Sequence, residues 1–162
     1  MLAKMARYLV YGLEAILILF SVAVASPYVS VDSKLKPYHD EYMRMVKEVC
    51  RPGEYNKPIK RVVGFGDTAA VDKDSPDAIG WCLSTNLGYK IMIDRKFWLS
   101  LDTDEKFQLM AHEMSHCVLG LEHRLHGYDY MAPAFFKLEP RIMRDQVRLD
   151  IEARCVLSRE KR

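Results

Sequence analysis

The sequence is short of almost everything that marks a nucleic-acid binder, a repeat protein or a disordered chain. No internal repeat, Gly/Ser linker or low-complexity stretch is present, so solenoids, arrays and flexible tails are excluded. Lys and Arg form no long run, and the formal net charge is only +2, which gives no electrostatic case for nucleic acid. With 162 residues the chain is too short for two ordinary domains. Hydrophobic residues at 49% and charged residues at 28% give the balance of a globular protein, neither disordered nor fibrous. Histidine is scarce too: five in all, and four of them fall between positions 112 and 126.

The first 25 residues stand apart. Lys4 and Arg7 precede a mostly apolar stretch from Tyr8 to Ala25, which Glu14 interrupts and Ala23-Val24-Ala25 closes before Ser26. A positive start, a short apolar core and a small-x-small end are the pattern of a secretory signal peptide. The competing reading is an uncleaved membrane anchor, near the lower length limit for a span, with the Glu14 carboxylate at a costly depth. On either reading residues 26–162 form the working domain, and that domain is exported, periplasmic or secreted. An exported chain meets an oxidising compartment, so the even count of four cysteines, Cys50, Cys82, Cys117 and Cys155, suggests two disulfides. Three connectivities are possible. Cys50–Cys155 with Cys82–Cys117 is favoured here, because it joins the ends of two terminal helices and ties a strand to the central helix. Buried free thiols are the alternative.

Hydrophobic spacing gives the elements. Residues 38–50 read as a helix with Tyr42, Met45, Val46 and Val49 on one face, stopped by Arg51-Pro52-Gly53. His39, on that helix, reads as a surface residue. Ile59–Gly66 reads as a strand, 67–77 as a loop, and Ala78–Ser84 and Tyr89–Asp94 as two strands of a tight hairpin. Asp102 and Glu105 have the form of an N-cap and its reciprocal partner. Phe107, Met110, Ala111, Met114 and Val118 then follow at helical spacing until Gly120, so a helix is expected over 103–119. After a loop, Met143, Val147, Ile151 and Cys155 make one stripe of a final helix. The order predicts an α+β domain with a small sheet.

The central helix holds His112-Glu113-Met114-Ser115-His116. Histidines four apart share a helix face, so both imidazoles reach one ion, and the intervening Glu lies beside it. HExxH supplies two ligands of a catalytic zinc and a carboxylate that takes a proton from the metal-activated water. Such a site needs a third protein ligand and one open position. His123, just past the helix-ending Gly120, is the leading candidate; His126 and Asp129 are rivals, and Glu139 and Glu152 remoter ones. Cys117 points away from the metal face and is not expected as a fourth ligand.

The run His112-Glu113-x-x-His116-x-x-x-Gly120-x-x-His123 resembles the metzincin signature HExxHxxGxxH, with one extra residue between the second His and the Gly. Asp129-Tyr130-Met131-Ala132-Pro133 resembles the metzincin Met-turn. The whole run HEMSHCVLGLEHR is also similar to small bacterial and phage metallopeptidases that carry HExxHCxLxxxH before a Met-Pro turn, over about residues 89–135. The resemblance implies a zincin-like fold, Zn2+ held by His112, His116 and His123, Glu113 as general base, Met131 beneath the metal, and Tyr128 or Tyr130 as an oxyanion donor. The expected function is peptide-bond hydrolysis, with a protein or peptide substrate. A zinc-binding exported interaction protein without catalytic activity is the alternative, and a zinc amidase or cell-wall peptidase shares the same metal chemistry. Substrate specificity and oligomeric state are not readable.

Overall fold

A computed structural model describes residues 28–51, 54–55, 60–68, 78–125 and 128–160. The expected signal or anchor segment, the rival ligand His126 and most of the expected 67–77 loop lie outside the described residues.

The domain is α+β, as expected, with a four-stranded mixed sheet and helices packed on it. Strand β1 (Tyr28–Val31) leads into helix α1 (Lys36–Val49), then β2 (Lys60–Phe65), β3 (Gly80–Thr85) and β4 (Gly88–Ile93). Helix α2 (Arg95–Ser100) and helix α3 (Thr103–Met114) follow. The latter runs into a π-helical turn (Ser115–Leu119), and helix α4 (Pro140–Glu160) ends the chain. Strand order is β1-β2-β4-β3, with β1, β2 and β4 parallel and β3 antiparallel to β4. Thr85 pairs with Gly88, so Asn86 and Leu87 alone make the hairpin turn. Strand β3 is therefore an edge of the sheet among the described residues.

Alternation along β4 puts Tyr89, Ile91 and Ile93 in the core while Lys90 stays exposed. Helix α3 contacts α1, α4 and β3. It is buried on several sides, with Phe107, Leu109, Met110, Ala111 and Met114 all nearly or fully inaccessible. Its N-terminus is closed by the expected capping box: Glu105 N–H donates to Asp102, and Asp102 N–H donates to Glu105. The stripe Met143, Val147, Ile151 and Cys155 of α4 is buried as predicted. Both disulfides have the favoured pairing, Cys50–Cys155 and Cys82–Cys117, with Cα–Cα separations of 5.6 and 5.8 Å. Two such bonds fit maturation in an oxidising compartment. No helix among the described residues is long and apolar enough to cross a membrane.

Three features depart from the sequence reading. Strand β1 and helix α2 were not anticipated. His39 is not a surface residue: only 3% exposed, it joins α1 to the sheet through Tyr89 Oη, 3.1 Å from its Nε2. Burial depresses its pKa against the raising effect of Asp40, at 3.0 Å from Nδ1.

Candidate metal centre

The centre is assembled by the last turn of α3, the π-turn and the loop beyond it. His112 and His116 leave the same helix face. A π-helical turn takes one more residue than an α-turn over the same rise. The residue in excess of the metzincin spacing falls in this wider turn, Ser115–Leu119. Gly120 then adopts φ 66° and ψ 36°, the left-handed conformation that ends a helix and reverses the chain, and its N–H donates to the Ser115 carbonyl. The reversal brings His123 back over the helix.

The three Nε2 atoms converge. His112 to His116 is 3.1 Å, His112 to His123 is 3.1 Å, and His116 to His123 is 3.2 Å. Among the described residues these three form the group able to hold a metal ion. The three rivals among the described residues are engaged elsewhere. Asp129 pairs with Arg124 and accepts the Met131 N–H, Glu139 accepts from Arg141 and Ile142 at the start of α4, and Glu152 lies beside Arg148.

Hydrogen bonds on the far side of each ring set its tautomer. His112 Nδ1–H donates to the Tyr130 carbonyl at 2.8 Å, and His116 Nδ1–H donates to the Leu121 carbonyl at 2.5 Å. A carbonyl has no proton to give, so each proton sits on Nδ1. Burial, the largest cause in both rings, depresses the pKa of His116 and takes that of His112 down to about 4, so both rings are neutral near pH 7. Their Nε2 atoms are then bare lone pairs facing each other 3.1 Å apart. His123 can supply at most one proton to this group, so the donors do not satisfy one another. A cation satisfies all three at once. Nitrogens bound at about 2.0–2.1 Å in a tetrahedral shell lie about 3.3–3.4 Å apart, close to the spacing here. The residues fit a metal.

Glu113 lines the cleft together with the histidines and is 4% exposed. Burial pushes its carboxyl up to about 8, with no charge or donor among the described residues opposing the shift. Gly80, the first residue of β3, makes its space: a Cβ at that position would overlap the Glu113 side chain. The cleft itself has a volume of ≈ 970 Å³. Its lining includes Gly80 and Trp81 of β3 and Pro133, Ala134 and Phe135 of the loop after Met131, together with the three histidines and Glu113. Cys82 also borders it, and its bond to Cys117 ties the edge strand to the residue after His116.

Met131 is fully buried in a turn where Ala132 N–H donates to the Asp129 carbonyl and Met131 N–H donates to Asp129 Oδ1. The tyrosines differ from expectation. The Tyr130 hydroxyl is turned into the core, donating to Asp150 Oδ2 at 2.8 Å and lying 3.0 Å from Ser115 Oγ. Tyr128 is 85% exposed, stands edge-on to Phe136 and is not among the cleft residues. Neither hydroxyl is placed as an oxyanion donor. The carbonyls of Tyr130 and Leu121, the space-making Gly80 and the Asp150 contact escaped the sequence reading. Main-chain acceptors leave no mark in a sequence, and Asp150 is one of many charged residues on α4.

Comparison with protein-family models, with curated proteins and with solved structures gives no match. The functional reading therefore rests on geometry.

Proposed function

We propose that this chain is a zinc-dependent peptidase of zincin-like architecture, with His112, His116 and His123 as ligands and Glu113 as general base. One observation carries the reading: three convergent Nε2 atoms, two of them lone pairs held there by main-chain carbonyls, beside a buried carboxylate in an open cleft. Three imidazoles with no fourth protein donor among the described residues suit zinc in a catalytic rather than a structural site.

A bound zinc ion supplies Lewis acidity, lowering the pKa of a water it holds to about 7 and taking up charge that develops on the attacked carbonyl oxygen. Glu113 receives the proton of the attacking water and passes it to the leaving amine. Burial alone holds Glu113 protonated near neutral pH, but beside a bound cation the ionised form is favoured, which is the form a base needs. Strand β3 offers an edge along the cleft, on which an extended peptide backbone can add as a further strand, and the apolar walls suit apolar side chains. The same chemistry serves an amidase or cell-wall peptidase, which substrate profiling separates.

The test is zinc content per chain of the purified protein and of His123→Ala. About one zinc in the wild type and a large loss in the variant support the three-histidine site. A folded wild type without zinc removes the reading and leaves an exported interaction protein.

A further inference from the structure

We propose that Asp150, on α4 and outside every motif, is the positioning residue of the metal centre, holding all three histidines through one carboxylate. The proposal rests on the reading that those histidines bind a metal.

Each oxygen of Asp150 has its own task. Oδ2 accepts the Tyr130 hydroxyl proton at 2.8 Å. Since that proton is committed, the 3.0 Å contact between Tyr130 Oη and Ser115 Oγ must be donated by Ser115. Ser115 Oγ in turn is 3.0 Å from Tyr42 Oη and accepts its proton. The outcome is a one-way chain of donors, Tyr42 to Ser115 to Tyr130 to Asp150, in which Tyr42, Ser115 and Tyr130 are at most 2% exposed. A chain ending on a carboxylate is polarised along its length and strengthened by the terminal charge.

Oδ1 accepts from Arg124 Nη2 at 2.5 Å. The Arg124 guanidinium also donates through Nη1 to Asp129 at 3.0 Å, and the Arg124 main-chain N–H donates to the Met131 carbonyl at 2.9 Å.

These contacts end at the ligands. Tyr130 presents its carbonyl to His112 Nδ1. Ser115 directly precedes His116 and sits at the head of the π-turn that aims it. Arg124 directly follows His123, the one ligand that lies on an exposed loop. A shift of Asp150 therefore moves the Tyr130 carbonyl, the π-turn and the His123 loop together. Groups that orient metal ligands typically change metal affinity about 10–100-fold when removed.

The test uses the full chain with its disulfides intact. Zinc affinity is read by chelator competition for the wild type, Asp150→Asn, Tyr130→Phe and Arg124→Lys. The visible bands of the Co2+-loaded forms and the Tm of the metal-free forms are read alongside. Asp150→Asn is expected to weaken zinc binding by about 10–100-fold and to weaken or shift the Co2+ bands. Tyr130→Phe and Arg124→Lys, which each cut one arm, are expected to lose less than Asp150→Asn. A purely structural role predicts a lower Tm for metal-free Asp150→Asn with zinc affinity within twofold of wild type, and that result overturns the proposal. If Asp150→Asn does not fold, Tyr130→Phe decides: it deletes one hydroxyl and keeps the carbonyl facing His112, and unchanged zinc affinity in it is equally fatal. A wild type that binds no zinc removes the metal reading itself, and that outcome is distinct from a wild type and Asp150→Asn that bind equally.

Discussion

The two disulfides span almost equal Cα distances and join very different regions. Cys50–Cys155 closes the helical layer: Cys50 caps the end of α1, Cys155 sits on the buried stripe of α4, and both are nearly inaccessible. An ion pair doubles it, since Arg159 forks onto both oxygens of Glu54 at 2.6 and 3.0 Å, each residue four places beyond its cysteine. Cys82–Cys117 instead crosses from the edge strand to the π-turn, at the wall of the cleft and next to His116. The first region is built to hold the fold together. The second is built to hold one surface still, and there the chain keeps a partly exposed bond, a desolvated carboxylate and a glycine with no room for a side chain.

Replacing both Cys50 and Cys155 with Ala should have the largest effect on stability. The sequence separation is 105, for which chain-entropy loss gives about 4–5 kcal/mol. Denaturant titration should show that loss, while zinc affinity of the folded fraction stays near wild type. Removing Cys82 and Cys117 opens a separation of 35, so the loss in the same titration should be about 1 kcal/mol smaller. Here zinc affinity should fall as well, about tenfold. If the two double variants weaken zinc equally, the contrast between the regions is wrong. Asp102→Ala breaks the capping box at the end of α3 away from the histidines and should cost about 1 kcal/mol, with zinc affinity unaltered.

The smallest effect is one that acid removes. Arg159 holds the Glu54 carboxyl down at about 2, below its ordinary value near 4.5. A depressed carboxylate adds stability that is fully present above the unfolded pKa and disappears as pH falls through the folded one. The advantage of wild type over Glu54→Gln in Tm should therefore be constant above about pH 5 and vanish towards pH 2. An advantage that persists at pH 2 would show that the pair acts by packing instead of charge.

Parts of both regions were legible in the sequence. The α4 stripe, the Asp102–Glu105 cap and the hairpin follow from spacing and from residue types with strong local preferences, whereas the disulfide pairing was only favoured among three connectivities. Of the site, His112, Glu113 and His116 were legible because helix geometry makes i and i+4 neighbours, and His123 because it follows the helix-ending Gly120. What was hidden depends on contacts between distant segments. Strand β1 has three exposed residues in four and joins the sheet through its backbone, leaving no alternation to read. Helix α2 buries Trp98 alone and is too short for a period. His39 differs from a surface histidine only because Tyr89, fifty residues on, meets it. The π-turn has no residue signature, and the Asp150 chain links α1, the π-turn and α4 through hydroxyls that no spacing rule connects.

The proposed hydrolysis by metal-activated water with Glu113 as base is decided by peptide turnover of wild type and Glu113→Gln, each carrying the same measured amount of zinc. Cleavage by the wild type is expected, with a loss of about 10²–10⁴-fold in the variant at unchanged zinc content. Equal turnover by the two, or none by a fully loaded wild type across a broad peptide library, would contradict it.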